Sequence, residues 1–283
     1  MRRLIVLFAI LVMGLTACGG GGGGDEAAEP AEESAAPAEE GGSESGFTTI
    51  EEGVLTVGTE LPAPPFWNGD DYESITDGYE VDLAREIASR LGLEEVRFVE
   101  MPFAGLVAGQ ECPCDVNLSQ VTITEDRAQV VDFSAPYFDA NQGVMVNEGT
   151  EVGDVATAQS LRWGVQVNTT GAKFLASEIQ PATEAQVYST VVDMFAALRA
   201  EQIDAVMMDT PIVLGEAGRE GSGFAVVGQF ETGEQYGAVL AKDSPNTEIV
   251  SGIIEELRDE GFLDELGATY FDDPASVPVI STG

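Results

Sequence analysis

Histidine is absent from the 283 residues, which excludes His-dependent catalytic triads and His-ligated metals, the commonest routes to hydrolysis and metal chemistry. Positive charge is scarce as well. Lys plus Arg total 12 against 50 Asp plus Glu, and Lys173 and Lys242 are the two lysines. A formal net charge of −38 argues against nucleic acid as a partner. The acids are scattered along the chain, which fits a solvated surface adapted to high salt and leaves open an acidic field that attracts cations. With 3 cysteines and no histidine, a zinc site lacks its ligands, and no other metal or cofactor is expected. Beyond the first residues no run is long and apolar enough to span a bilayer.

The beginning of the chain is different. "MRRLIVLFAILVMGLTAC" carries Arg2 and Arg3, an apolar run from Leu4 to Met13 too short for a transmembrane helix, and small residues before Cys18. Residues 1–17 therefore read as an export signal. Leu15-Thr16-Ala17-Cys18 resembles the lipobox of bacterial lipoproteins, which implies cleavage before Cys18 and a membrane anchor of acyl chains on that cysteine. Loss of the two arginines takes the net charge from −38 to −40. Residues 18–46 continue as Gly, Ala, Glu, Ser and Pro with almost nothing to pack, so they read as a disordered acidic tether.

The remainder, in a chain of 44% hydrophobic content, suffices for one large core or two moderate ones. Val54 to Val57 suits a buried strand that ends in turn residues from Gly58. "DGYEVDLAREIASRLG" places Leu83, Ala84, Ile87, Ala88 and Leu91 on one helical face, with Gly92 as the stop. "EEVRFVE", "FAGLVAG" and "DVNLSQ" continue as strand, short helix and strand. This order predicts an open parallel sheet with helices on both faces. The pattern recurs in "LRWGVQVNTTGAKFLASEI" and "VVDMFAALRAEQIDAVMMD", so two α/β domains are expected. "YGAVLAKDSPNTEIVSGIIEELRDEGFLDELGATYF" closes the fold with a strand and helices.

Six stretches, taken in order and spacing, carry a family resemblance: "VGTELPAPPF", "GYEVDLAREIASRLG", "VTITEDRAQVVDFSAPYF", "GVQVNTTG", "IDAVMMD" and "YGAVLAKD". Across nearly all of residues 50–275 the chain resembles the extracellular solute-binding proteins that deliver polar amino acids to ABC importers. The resemblance implies the type II periplasmic-binding-protein fold: two doubly wound α/β lobes joined by two hinge crossings, with ligand in the cleft between. The lobes are expected at 47–139 plus 238–283 and at 140–237. Open α/β sheets do bind ligands beyond the carboxyl ends of their strands.

A free amino acid presents a carboxylate and an ammonium, and a guanidinium meets a carboxylate with two parallel hydrogen bonds. Spacing alone makes Arg127 a surface ion-pair partner of Glu125 or Asp126; the resemblance makes it the carboxylate ligand. Thr122 matches a ligand-contacting hydroxyl, Ser119 and Gln120 share its strand end, and the family often uses the main-chain carbonyl at Gln120. Thr170 opens the helix after "VQVNTTG", where free N–H groups favour an anion. Asp209 matches the partner of the ammonium, from the opposite lobe to Arg127. Glu60 occupies a position that reads polar or cationic side chains, whereas Ala63 stands where relatives with strong cation preference often carry an aromatic. Phe66, Trp67 and Phe103 are expected as an aromatic wall, with core packing the alternative for each.

Export permits an oxidised Cys112–Cys114 pair, although the two-residue separation is awkward for a disulfide. The resemblance implies an extracytoplasmic, lipid-anchored binding protein, monomeric, with an ABC permease and its ATPase as partners and no chemistry of its own. Two alternatives stay open. One is an enzyme on the same fold, such as a cyclohexadienyl dehydratase-like lyase with Glu60 as general acid. The other is a ligand sensor for a separate partner.

Overall fold

The computed structural model describes residues 46–69, 71–271 and 276–282. The export signal, Cys18 and the tether up to residue 45 lie outside the described residues. No helix among the described residues is long and apolar enough to cross a membrane.

Eight strands and eight α-helices follow in the order β1 (Val54–Thr59), α1 (Tyr79–Leu91), β2 (Glu95–Glu100), α2 (Phe103–Leu106), β3 (Val116–Asn117), β4 (Val131–Asn147), α3 (Val155–Ser160), β5 (Trp163–Gln166), α4 (Thr170–Phe174), β6 (Gln186–Tyr188), α5 (Val191–Arg199), β7 (Ala205–Asp209), α6 (Thr210–Ala217), β8 (Phe224–Ala241), α7 (Thr247–Asp259) and α8 (Phe262–Tyr270). Strand β1 is buried along its whole length, as an apolar run covered on both faces must be. Helix α1 buries the predicted face, and Gly92 ends it at φ 71°, with its N–H turned back to Ala88 and Ser89.

The sheet is mixed rather than parallel, with strand order β2-β1-β3-β8-β4-β7-β5-β6. Parallel pairing holds within β2-β1-β3 and within β7-β5-β6, the two βα halves read from the sequence. Between them run β4 and β8, antiparallel strands of 17 and 18 residues that belong to both halves. Their length was concealed by Pro136 in β4 and by "ETGEQ" in β8, which read locally as breaks. Register shifts flank Pro136, where a missing N–H is tolerated, and another falls between Ala140 and Gln142. The first lobe is built on β1, β2 and β3 with α1, α2, α7 and α8, the second on β5, β6 and β7 with α3 to α6.

The core of the first lobe gathers Leu55, Val57, Leu83, Ile87, Leu118, Ile254 and Leu257. An aromatic group at the strand crossing continues it, with Phe66 against Phe138 at 5.2 Å and Phe138 stacked on Tyr236 at 5.6 Å. Val144, Trp163, Val165, Leu175 and Phe230 pack one face of the second lobe. Both ends of the described part are tied down. Phe47 is buried in the first lobe, and the Thr48 N–H donates to Asn246 Oδ1 at 3.1 Å. At the other end Ile280 is buried with Trp163 and Phe230 in the second lobe, and its N–H donates to the Gln229 carbonyl at 2.8 Å. The chain after α8 thus reaches the second lobe again, beyond the crossings made by β4 and β8.

Candidate functional site

The carboxyl ends of β1 and β3 deliver one wall of a cleft, and those of β5 and β7 deliver the other. A cavity of about 30 Å³ lies between them, lined by Glu60, Phe103, Ser119, Gln120, Thr122 and Arg127 from the first lobe and by Gln166, Thr170 and Asp209 from the second. The structure therefore brings together eight of the ten residues expected at the ligand, all but Phe66 and Trp67.

Arg127 opens a short 3-10 turn, Arg127–Gln129, and is only 7% exposed. Its Nη1 donates to the Thr122 carbonyl at 2.6 Å and its Nη2 to the Asn168 carbonyl at 3.1 Å, while the guanidinium lies over the Phe103 ring at 5.4 Å. The surface ion pair is not formed: Asp126 pairs with Lys173 instead. Burial pushes the Arg127 pKa down, and the charges of Asp209 and Glu234 act against that. A buried guanidinium held by neutral carbonyls retains N–H groups and an electrostatic demand for an anion.

Asp209 ends β7 facing that guanidinium across the cleft, 7% exposed. Its Oδ1 accepts from Gln142 Nε2 at 2.5 Å and its Oδ2 from the Tyr236 hydroxyl at 2.6 Å. Burial first, and then the charge of Glu234, raise its pKa to about 7. A cation placed beside it would restore ionisation.

Thr170 opens α4 as expected, and it shares the work there with its neighbour. Thr169, not Thr170, is the N-cap of α4, accepting from the Ala172 N–H at 3.1 Å. Thr170 is thereby left for the cleft, and its hydroxyl donates to Glu234 Oε2 at 2.7 Å. Thr122 donates to the same oxygen at 2.7 Å from the opposite lobe. Gln120 sits at φ 50°, with its N–H and side-chain amide both turned away to Glu80 at 2.9 and 2.5 Å. That leaves its carbonyl, not its side chain, as the group available to the cleft. Glu80 itself is fully buried, also bonded by Tyr137, and its pKa is raised to about 7 by burial.

Glu60 spans the cleft, with Oε1 accepting from Gln166 Nε2 at 2.6 Å and Oε2 from the Phe103 N–H at 2.8 Å. Its N–H approaches Ser119 Oγ at 3.3 Å, and burial raises its pKa.

Trp67 is a correction. It is fully buried away from the cleft, donating from Nε1 to Glu80 Oε2 at 2.5 Å and packing edge-on against Phe98. Phe66 likewise joins the aromatic group at the strand crossing, so Phe103 alone of the three aromatics lines the cavity. An indole N–H that must find an acceptor when buried was satisfied by a glutamate on α1, a pairing that loop sequence cannot disclose. Cys112 and Cys114 are bonded to each other just before β3, with their Cα atoms 5.1 Å apart. Among the described residues no group of three or more His, Cys, Asp or Glu side chains is arranged to hold a metal ion.

Sequence reasoning missed Gln166, which lines the cleft, and also Glu234 and Gln142, which bond the cleft residues Thr122, Thr170 and Asp209 from behind. Gln166 could have been found as the last residue of the strand "WGVQ", at the end where ligands bind. Gln142 and Glu234 lie inside the long crossing strands, and no local signal marked them.

The sequence profile of the bacterial extracellular solute-binding proteins, family 3, matches residues 55–273. The chain is 30% identical over 227 residues to the L-cystine-binding protein TcyJ of Escherichia coli (strain K12), covering 78% of this chain and 84% of that protein. It is 27% identical over 230 residues to the L-arginine-binding protein of Pseudomonas aeruginosa, covering 77% of this chain and 87% of that one. A solved structure of an ancestral arginine-binding protein bound to arginine superposes with a TM-score of 0.68 at 31% identity, covering 78% of this chain and all but 1% of the other, at 99%.

Proposed function

The chain belongs to the bacterial extracellular solute-binding proteins of family 3, and from that premise we propose that it captures a free amino acid in the cleft and presents the closed form to an ABC importer. The observation that carries this reading is the pairing of opposites across the cleft. Arg127 is a buried guanidinium bonded only to carbonyls, and Asp209 is a buried carboxyl facing it from the other lobe. A zwitterion bridging the two satisfies both, and the differential contacts favour closure.

A polar or cationic side chain suits the Glu60 end, where Glu60 and Gln166 offer polar atoms. The relatives from Escherichia coli and Pseudomonas aeruginosa are named as L-cystine-binding and L-arginine-binding proteins, which agrees with that chemistry. We place the lobe boundaries at 47–139 plus 238–271 and at 140–237, supported by the register shift between Ala140 and Gln142; the expected inclusion of the segment to 283 in the first lobe is corrected, because Ile280 packs with Trp163 and Phe230 in the second. Export, lipidation at Cys18, an extracytoplasmic position on the cell membrane, a monomeric state, and an ABC permease with its ATPase as partners complete the proposal. A role as ligand sensor would use the same site with another partner.

The test is calorimetric titration of the chain from Ser43 onward, unfolded and refolded to strip carried-over ligand, against a panel of L-amino acids. One tight, stoichiometric binder is the expected result. Silence across the panel would overturn the reading. Glu60, with its raised pKa inside the cleft, is the feature a lyase would use, so the same preparation is incubated with prephenate and arogenate. Binding without turnover is expected, and product formation would replace the transport reading with an enzymatic one.

A further inference from the structure

Glu234 lies on β8 next to the strand crossing and reaches into the contact between the lobes. Its Oε2 accepts from Thr122 Oγ1 and from Thr170 Oγ1, each at 2.7 Å, and its Oε1 accepts from Gln142 Nε2 at 2.9 Å. The three donors come from the loop after β3, from α4 and from β4. A threonine hydroxyl has one proton, so one donated to Glu234 leaves only lone pairs for anything else. Gln142 spends its other amide hydrogen on Asp209, and the Tyr236 hydroxyl also donates to Asp209. Every side-chain donor in this network is therefore committed to one of two carboxylates. What remains for a ligand is a set of acceptors beside two carboxyl groups.

We propose that Glu234 is a specificity-determining residue: it orients the Thr122 and Thr170 hydroxyls as acceptors and, with Asp209, makes this end of the cleft selective for the ligand's ammonium. The ligand's carboxylate is left to Arg127. Thr122, which the family resemblance suggests as a ligand contact, and Thr170, expected at a helix start that favours an anion, thus turn their hydroxyl oxygens to the ammonium side, and the free N–H groups at the start of α4 stay with the carboxylate. Like-charge proximity supports the assignment, since the charge of Glu234 helps raise the Asp209 carboxyl and a bound cation relieves both groups. The competing role is an internal occupant, in which Glu234 sits where the ligand's own carboxylate belongs and must be displaced.

This inference rests on the amino-acid reading above, and the test separates the two. Wild type, Glu234→Gln and Thr170→Val are titrated with L-arginine and L-glutamine and with their des-amino counterparts, 5-guanidinopentanoate and glutaramate. The glutamine amide keeps the shape of Glu234 but can donate, which turns the hydroxyl protons back toward the cleft. The expected result is that Glu234→Gln weakens the amino acid that wild type binds by about tenfold or more, with its des-amino counterpart changed less than about threefold. Thr170→Val, which removes one acceptor, moves the same preference in the same direction. Equal losses for both compounds would mark Glu234 as merely structural, and tighter binding by Glu234→Gln would identify an internal occupant; either overturns the proposal. A wild type that binds neither amino acid nor any other on the panel sinks the amino-acid reading itself, and this inference with it.

Discussion

Replacing Arg127 tests the site where its physics is most exposed. The guanidinium is 7% exposed and donates one hydrogen each from Nη1 and Nη2 to the carbonyls of Thr122 and Asn168. Each terminal nitrogen keeps one further N–H, so a ligand carboxylate can take two parallel bonds. Charge-assisted bonds contribute about 1.5 to 3 kcal/mol each, which sets the loss in Arg127→Ala at about 3 to 6 kcal/mol. In affinity this is roughly 150-fold to above 10,000-fold. Arg127→Lys keeps the charge and loses the fork, so it should fall between wild type and Arg127→Ala. The assay is calorimetric titration with the amino acid bound by wild type, paired with thermal melting of the unliganded proteins. Melting should move by only a few degrees, because two orphaned carbonyls are offset by relief of a buried charge without an ion-pair partner. Affinity of Arg127→Ala within about threefold of wild type would refute the reasoning, whatever the melting result.

Protonation supplies a second test. Asp209 and Glu80 have pKa values raised to about 7 in the fold, so the folded state holds protons that the unfolded chain releases near pH 4. Stability of the unliganded protein should therefore fall as pH rises from about 4 through 7 and level above it, and melting that is higher at pH 8 than at pH 5 would contradict this. Ligand affinity should run the other way, weakening below pH 7 with proton release on binding, which titration in buffers of different ionisation enthalpy detects. Gly215 on α6 packs so closely on the loop after β1 that an added Cβ would lie 2.1 Å from the Pro64 carbonyl oxygen. Gly215→Ala should wedge the lobes apart and weaken ligand binding by about tenfold, and an unchanged Kd would show that closure does not need this approach. If the excess of 50 acids over 12 basic residues reflects high-salt adaptation, the melting temperature should climb as NaCl is raised into the molar range, whereas a flat response would refute it.

How much of this was legible depended on how local the determining contacts are. Strand β1 and helix α1 announce themselves through burial pattern and the Gly92 stop, because both are short-range properties. Arg127, Asp209, Thr122 and Thr170 were placed through motifs at strand ends, and they do meet in one cleft. Trp67 and Phe103 are both aromatics in loops near the cleft. Their different fates follow from a buried Glu80 that captures the indole and from Arg127 that lies over the phenyl ring. Glu234 was invisible for a related reason. Its partners Thr122, Gln142 and Thr170 stand 112, 92 and 64 residues away, and "ETGEQ" reads as a turn until β8 is paired along β4. Parallel pairing failed as a prediction at the same place, since the two long antiparallel strands are specified by each other and not by their own patterns.

The anchoring of the two ends of the described part on different lobes has a practical consequence. Phe47 and Thr48 fasten the start of the folded chain to the first lobe, and Ile280 fastens the finish to the second. Any opening of the cleft must change the separation of these two points. A donor and an acceptor fluorophore joined at residues 46 and 282 would report lobe motion as a change in energy transfer, without a label near the ligand. The natural chain thus already has the connectivity of an optical amino-acid sensor.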